Sequence, residues 1–177
     1  MRSFFAILLS CVLVAVAYGI VHDQITARVC IEYFTVGHRD MIGRDDPTLH
    51  GLYWGVAATW WCGAMLGFGL ACTSRLGSRP KHTLRTLRKP IIVLVVAMGL
   101  MALLSGLAGG MLANSGQIVL PDWIKTRLVP AKWAAFQSCA FAHEASYSVA
   151  FVGGGMVIVW AWFSRRRLQT RAAFKFL

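Results

Sequence analysis

Charged residues are scarce in this chain, and acidic residues are the scarcest of them. Asp and Glu number 7 and Lys and Arg 18 among 177 residues, so only 14% of the chain is charged. The longest polar stretch covers residues 22–48, and a segment below about 40 residues rarely folds alone without disulfides, a metal or a partner. This scarcity excludes a separate soluble domain of ordinary composition.

Cysteine and histidine motifs are also missing. The five cysteines form no CxxC pair and no zinc-ribbon spacing, and most lie in apolar runs, where a free cysteine behaves as a small apolar residue. A disulfide between Cys30 and Cys139 is an alternative to free thiols, because both residues lie toward one predicted side of the membrane and could pair in an oxidising compartment. No HExxH, ExxH or CxxCH motif is present, so no local metal or haem signature identifies a reaction.

Apolar residues dominate what remains. They make up 57% of the chain and form four long runs, at about residues 3–21, 49–72, 91–113 and 140–163. Each run has about the 20 residues that a helix needs to cross a hydrocarbon core of about 30 Å. We therefore predict an all-α integral membrane fold with four transmembrane helices in a bundle, as a single domain over residues 1–177.

The basic residues predict the orientation. Twelve of them precede run 1, occupy the loop at 73–90 or follow run 4, whereas the opposite side carries six basic and all seven acidic residues. Lys and Arg favour cytoplasmic loops, so we expect both termini in the cytoplasm, as in a bacterial inner membrane protein. Anionic lipids at the cytoplasmic face explain the net charge of +11 better than nucleic acid, which is not predicted as a partner. Run 1 is expected to be a retained helix rather than a cleaved signal peptide.

Glycine spacing predicts how the helices pack. Gly51 and Gly55, and then Gly63 and Gly67, recur at four residues in run 2, and such faces let helix backbones approach closely in lipid. Pro90 is expected just before helix 3. His82 is expected to be solvated in the basic loop, and the aspartates at 40, 45 and 46 are expected to form turns, with Asp46 at the start of helix 2. The sequence leaves open whether the chain has membrane-protein partners or forms a homo-oligomer.

Three histidines are predicted at one level, near the outer ends of three helices. Helix rises of about 27–33 Å place His22, His50 and His143 together at the outer edge of the hydrocarbon. Ionisable groups there are costly and usually serve a site. Imidazoles with carboxylates suit zinc, copper or iron, so these three histidines, with Asp23, Glu32 and His38 as further ligands or ligand-orienting partners, form a candidate transition-metal site.

The functional hypothesis follows from that cluster. An outward-facing metal site could activate water for hydrolysis or support redox chemistry, with Glu144 as the base and Tyr147 as a hydrogen-bond donor. Haem between His50 and His143 is a less favoured alternative, because no second histidine pair lies deeper in the chain. The competing class is a non-enzymatic structural or assembly subunit of a membrane complex, in which the polar cluster only stabilises the bundle.

Overall fold

Helices account for the whole regular structure of the described chain. The computed structural model describes the backbone of residues 1–173 and the side chains of residues 1–169. The chain is 79% helical, and no strand occurs in the described part. Lys175 and the side chain of Arg171, both counted in the predicted basic tail, lie outside the described residues. The helices are α1 (Arg2–Val29), α2 (Glu32–Thr35), α3 (Pro47–Ala57), α4 (Trp60–Arg75), α5 (Leu84–Asn114), α6 (Asp122–Lys125) and α7 (Trp133–Ala173).

Four helical segments of the described chain are long and apolar enough to cross a membrane. They are α1, the α3–α4 segment, α5, and the segment that contains α7, as the four apolar runs predict. In the most apolar windows of α1 and α5 only 11% of the residues are buried. Such helices expose their apolar side chains to their surroundings, which is the arrangement that lipid favours and water does not. The chain is therefore a membrane protein.

Helix ends depart from the apolar runs where capping groups act. Helix α1 continues past its apolar run, which ends near residue 21, to Val29. Helix α5 begins at Leu84, because the Thr83 and Thr86 side chains form a reciprocal capping box. The prediction that Pro90 precedes this helix is wrong, since the proline lies inside its second turn.

The second span is interrupted. Asp46 caps α3 by accepting hydrogen bonds from the Thr48 and Leu49 backbone N–H groups, which confirms its predicted place at a helix start. The Leu49 N–H and then the Arg44 guanidinium hold the pKa of the Asp46 carboxyl below its usual range. The helix then breaks at Ala58 and Thr59 before α4 begins. The Thr59 hydroxyl bonds back to the Gly55 carbonyl, an arrangement that bends helices.

The chain packs as two helical hairpins with small residues at each contact. In the first, α3 and α4 lie along α1, and a Cβ added to Gly55 would lie 2.5 Å from the Ile20 Cα. Gly63 and Gly67 meet α1 in the same way around Cys11. In the second hairpin, α5 and α7 approach closely where the Ser138 hydroxyl donates to the Gly106 carbonyl at 2.7 Å. The predicted glycine spacing therefore marks real helix contacts.

The hairpins join at the end of the molecule that carries loop 76–83, here called the basic end. Arg165 is fully buried there and donates to four backbone carbonyls. Those carbonyls belong to Thr73, Leu76, Arg79 and Pro80. Thr73 lies in the last turn of α4 and the other three follow that helix, at the end where helix carbonyls lack intrahelical partners.

His82 is also buried at the basic end, so the prediction that it is solvated is wrong. Its ring bonds Ser164 at 2.8 Å and stacks on Trp160. Burial lowers the pKa of His82.

Candidate metal centre

His22, Asp23 and His143 meet between α1 and α7 at the opposite end, here called the histidine end. One ligand atom from each residue lies within 4.8 Å of the other two. His143 Nε2 is 3.1 Å from Asp23 Oδ1, and His143 Nδ1 is 3.4 Å from His22 Nε2. Two ligand atoms at about 2.0–2.2 Å from one ion lie about 3.0–3.5 Å apart. The His143 Nε2–Asp23 Oδ1 pair already has this spacing, whereas the His22 contact is to the other ring nitrogen of His143, so His22 would have to move closer for the group to hold a metal ion.

Hydrogen bonding orients the His143 ring. Its Nδ1 is 2.8 Å from the Cys139 carbonyl, and because a carbonyl only accepts, Nδ1 carries the proton. Nε2 then faces the Asp23 carboxylate, which is 4% exposed. Two acceptors at 3.1 Å require a cation between them, either a proton or a metal. Metal-bound histidines commonly donate their second ring N–H to a backbone carbonyl, as His143 does here.

The obvious counter-charges for this group are bound elsewhere. Arg28 donates to the Gln24 side chain and to Thr48, and Lys132 pairs with Glu32 at 3.4 Å. A buried carboxylate without a cation costs several kcal/mol. The negative charge of Asp23 is therefore compensated by the cation, proton or metal, that His143 carries.

Aromatic rings enclose the histidines. Tyr33, on the short helix α2, stacks on His143 with centroids 4.4 Å apart, and Tyr18 stacks on His22 at 5.7 Å. Phe34 covers the same region and is 2% exposed. Helix α2 therefore forms a cover over the histidine end, held in place by the chain reversal after α1.

The structure does not bring His50 and His38 into this group. Phe34 packs against both His50 and His143, at 6.1 and 6.2 Å between centroids, and so lies between the two. His50 is fully buried and its Nε2 donates to the Arg44 carbonyl at 3.1 Å, whereas His38 is exposed and bonds the Tyr33 carbonyl. This geometry does not favour haem, which needs His50 and His143 to face one iron.

The remaining predicted site residues are placed around the group rather than in it. Glu32 lies in α2, where it accepts from Cys30 as well as pairing with Lys132. Glu144 is exposed on α7. Tyr147 lines the cavity below the histidines, but its hydroxyl donates to the Ala58 carbonyl at the helix break, 3.2 Å away. Cys30 and Cys139 are both buried in one apolar cluster and form no disulfide with each other.

A cavity of about 110 Å³ continues from the histidines into the membrane-spanning region between the two hairpins. Its upper wall carries Tyr18 and Ser146, whose hydroxyls are 2.6 Å apart, and its lower wall is apolar down to Leu70 and Ile91. The sequence analysis missed Tyr18 and Ser146. Helical spacing could have found them, because Tyr18 lies one turn before His22 and Ser146 nearly one turn after His143.

Fold and site together define an all-helical membrane protein with an internal His–Asp–His group. No protein-family model, no curated protein sequence and no solved structure matches the chain. Its function is therefore argued from the site itself.

Proposed function

We propose that the protein binds a transition metal ion at the histidine end, with His22, Asp23 and His143 as its ligands. The observation that supports this most strongly is the orientation of His143, whose Nδ1–H is held by Cys139 while Nε2 meets the Asp23 carboxylate beside His22. Two imidazoles and one carboxylate are the donor set of catalytic zinc sites and of non-haem iron sites. Zinc and iron are thus favoured over copper.

The proposed orientation places this site at the outer face of the membrane, with both termini in the cytoplasm. The basic residues on one side of the spans support that assignment. A three-ligand site leaves coordination positions for water or a substrate, so the proposed chemistry is hydrolysis by metal-bound hydroxide or redox chemistry. Glu144 as the base and Tyr147 as a donor remain predictions.

A structural subunit is the second candidate. It is favoured by the His143–Asp23 contact itself, which joins α7 to α1 and thereby links the two hairpins without any metal. In that case His143 carries a second proton and the pair acts as a buried salt bridge, which contributes specificity more than stability.

Equilibrium dialysis distinguishes the two candidates. Chelator-treated protein in detergent is dialysed against Zn²⁺ or Fe²⁺, together with His143→Ala and the matched control His38→Ala. The metal proposal expects about one ion per wild-type chain, an unchanged control, and at least a ~100-fold affinity loss in His143→Ala, since even indirect partners of a site cost 10–100-fold. Equal, weak binding by all three proteins would favour the structural candidate.

A further inference from the structure

A groove on the surface of the apolar helices adjoins the central cavity. It lies between α1 and α5, two helices of different hairpins that touch little, and it measures about 300 Å³. Tyr18 and His22 line both the groove and the cavity. A molecule dissolved in the lipid can therefore reach these two side chains from the side, without passing through water.

The walls restrict the chemistry of such a molecule. Of the described residues that line the cavity and the groove, none is Lys or Arg, and the one charged side chain is the acid Asp23. Fatty acids and phospholipids with anionic head groups would meet a carboxylate and no counter-charge. The lower cavity is built from aliphatic side chains, which suits a hydrocarbon tail.

At the end of the cavity near the histidines, two hydrogen-bond donors remain available to a ligand. Since His143 Nδ1 carries a proton, the facing His22 Nε2 acts as the acceptor, and the His22 proton lies on Nδ1. Of the two hydroxyls in the Tyr18–Ser146 pair, one donates to the other and the second keeps a free hydrogen. These two donors fit a neutral, flat ring with carbonyl acceptors, which could stack beside the Tyr18 ring.

We infer that the cavity binds an isoprenoid quinone, with its ring at Tyr18 and His22 and its tail leaving through the α1–α5 groove. The cavity has room for several heavy atoms of the ring, because a single water occupies about 10–15 Å³ of such a volume. This site shares His22 with the proposed metal group but needs no metal, so its test is made on chelator-treated protein.

Quinone titration in neutral phosphatidylcholine nanodiscs tests the inference. Decylubiquinone is added while tryptophan fluorescence is followed, in wild type, Gly99→Leu, Tyr18→Phe and Gly155→Leu. A Cβ on Gly99 meets only Tyr18, at 4.0 Å, so leucine fills the groove without a backbone clash. Gly155 has nothing within 4 Å of an added Cβ and serves as the matched control.

Saturation at about one quinone per chain is expected for the wild type and for Gly155→Leu. Gly99→Leu should weaken binding at least tenfold, and Tyr18→Phe by about 2–10-fold, the usual worth of one hydrogen bond. Quenching that is linear in quinone, or identical in Gly99→Leu and Gly155→Leu, would overturn the inference. Equal displacement of the quinone by oleate would overturn the choice of a neutral head group.

Discussion

Replacing Asp23 by asparagine separates a metal ligand from a structural ion pair. Asparagine keeps the shape of aspartate but removes the charge, and its amide can donate to His143 Nε2 while Nδ1–H stays on the Cys139 carbonyl. In the metal-free wild type a proton fills the contact between His143 Nε2 and Asp23, so Asp23→Asn exchanges that ion pair for one neutral hydrogen bond under either candidate. The metal-free variant should therefore have a lower free energy of unfolding than the wild type, by up to the about 3–5 kcal/mol of a broken buried salt bridge.

Metal addition separates the two candidates. A ligand at one hundred times its Kd stabilises the folded protein by about 2.7 kcal/mol. For a chain of this length that corresponds to a rise in Tm of roughly 5–10 °C. The wild type should show this rise with Zn²⁺ or Fe²⁺, and Asp23→Asn should show almost none.

Thermal unfolding in detergent, with and without metal, is the assay, and Asp122→Asn is the control because Asp122 is 95% exposed. Breaking a buried salt bridge costs about 3–5 kcal/mol. No rise in the Tm of the wild type with metal, or an equal rise in Asp23→Asn, would refute the reasoning, whatever the Tm of the metal-free variant.

Three further predictions concern the fold. Gly55→Leu should prevent stable folding, because its side chain meets the Ile20 backbone at 2.5 Å, whereas Gly155→Leu should melt like the wild type; detergent melting curves compare them. Arg165→Gln should lower the free energy of unfolding by about 2–3 kcal/mol, since four carbonyls lose charged donors; an unchanged denaturant midpoint would contradict this. His82 has a pKa below its usual 6.5, so the folded state binds fewer protons, and its contribution to stability is present above pH 6.5 and lost as the pH falls. The protection of loop 76–83 against hydrogen exchange, taken relative to the intrinsic exchange rate at each pH, should fall from pH 7.5 to 5.5 in the wild type but not in His82→Gln.

Most of the fold could be predicted from hydrophobicity and small-residue spacing. Long apolar runs have few alternatives to membrane-spanning helices, and the period of four in run 2 predicted a close helix contact, which the structure shows to be with α1. The ends of the helices were less predictable, because they depend on caps such as the Thr83–Thr86 box rather than on apolarity. Burial of His82 was missed because it depends on Ser164 and Trp160, which are remote in sequence.

The candidate site was predictable only as a level in the membrane. Counting helix rise brought His22 and His143 to a common depth, and Asp23 came with its neighbour. The count of helix rise could not show that the chain reverses after Cys30 and inserts Phe34 between His50 and His143. The same reversal places Tyr33 on the His143 ring, a contact with no periodic signal in the sequence.

Elemental analysis of the purified protein tests the central claim most directly. Wild type, His143→Ala and His38→Ala are purified in detergent without chelator, and zinc, iron and copper are measured per chain. We expect about one equivalent in the wild type and in His38→Ala, and loss of that metal in His143→Ala. No metal in the wild type, or equal metal in all three proteins, would contradict the assignment of His22, Asp23 and His143 as a metal site.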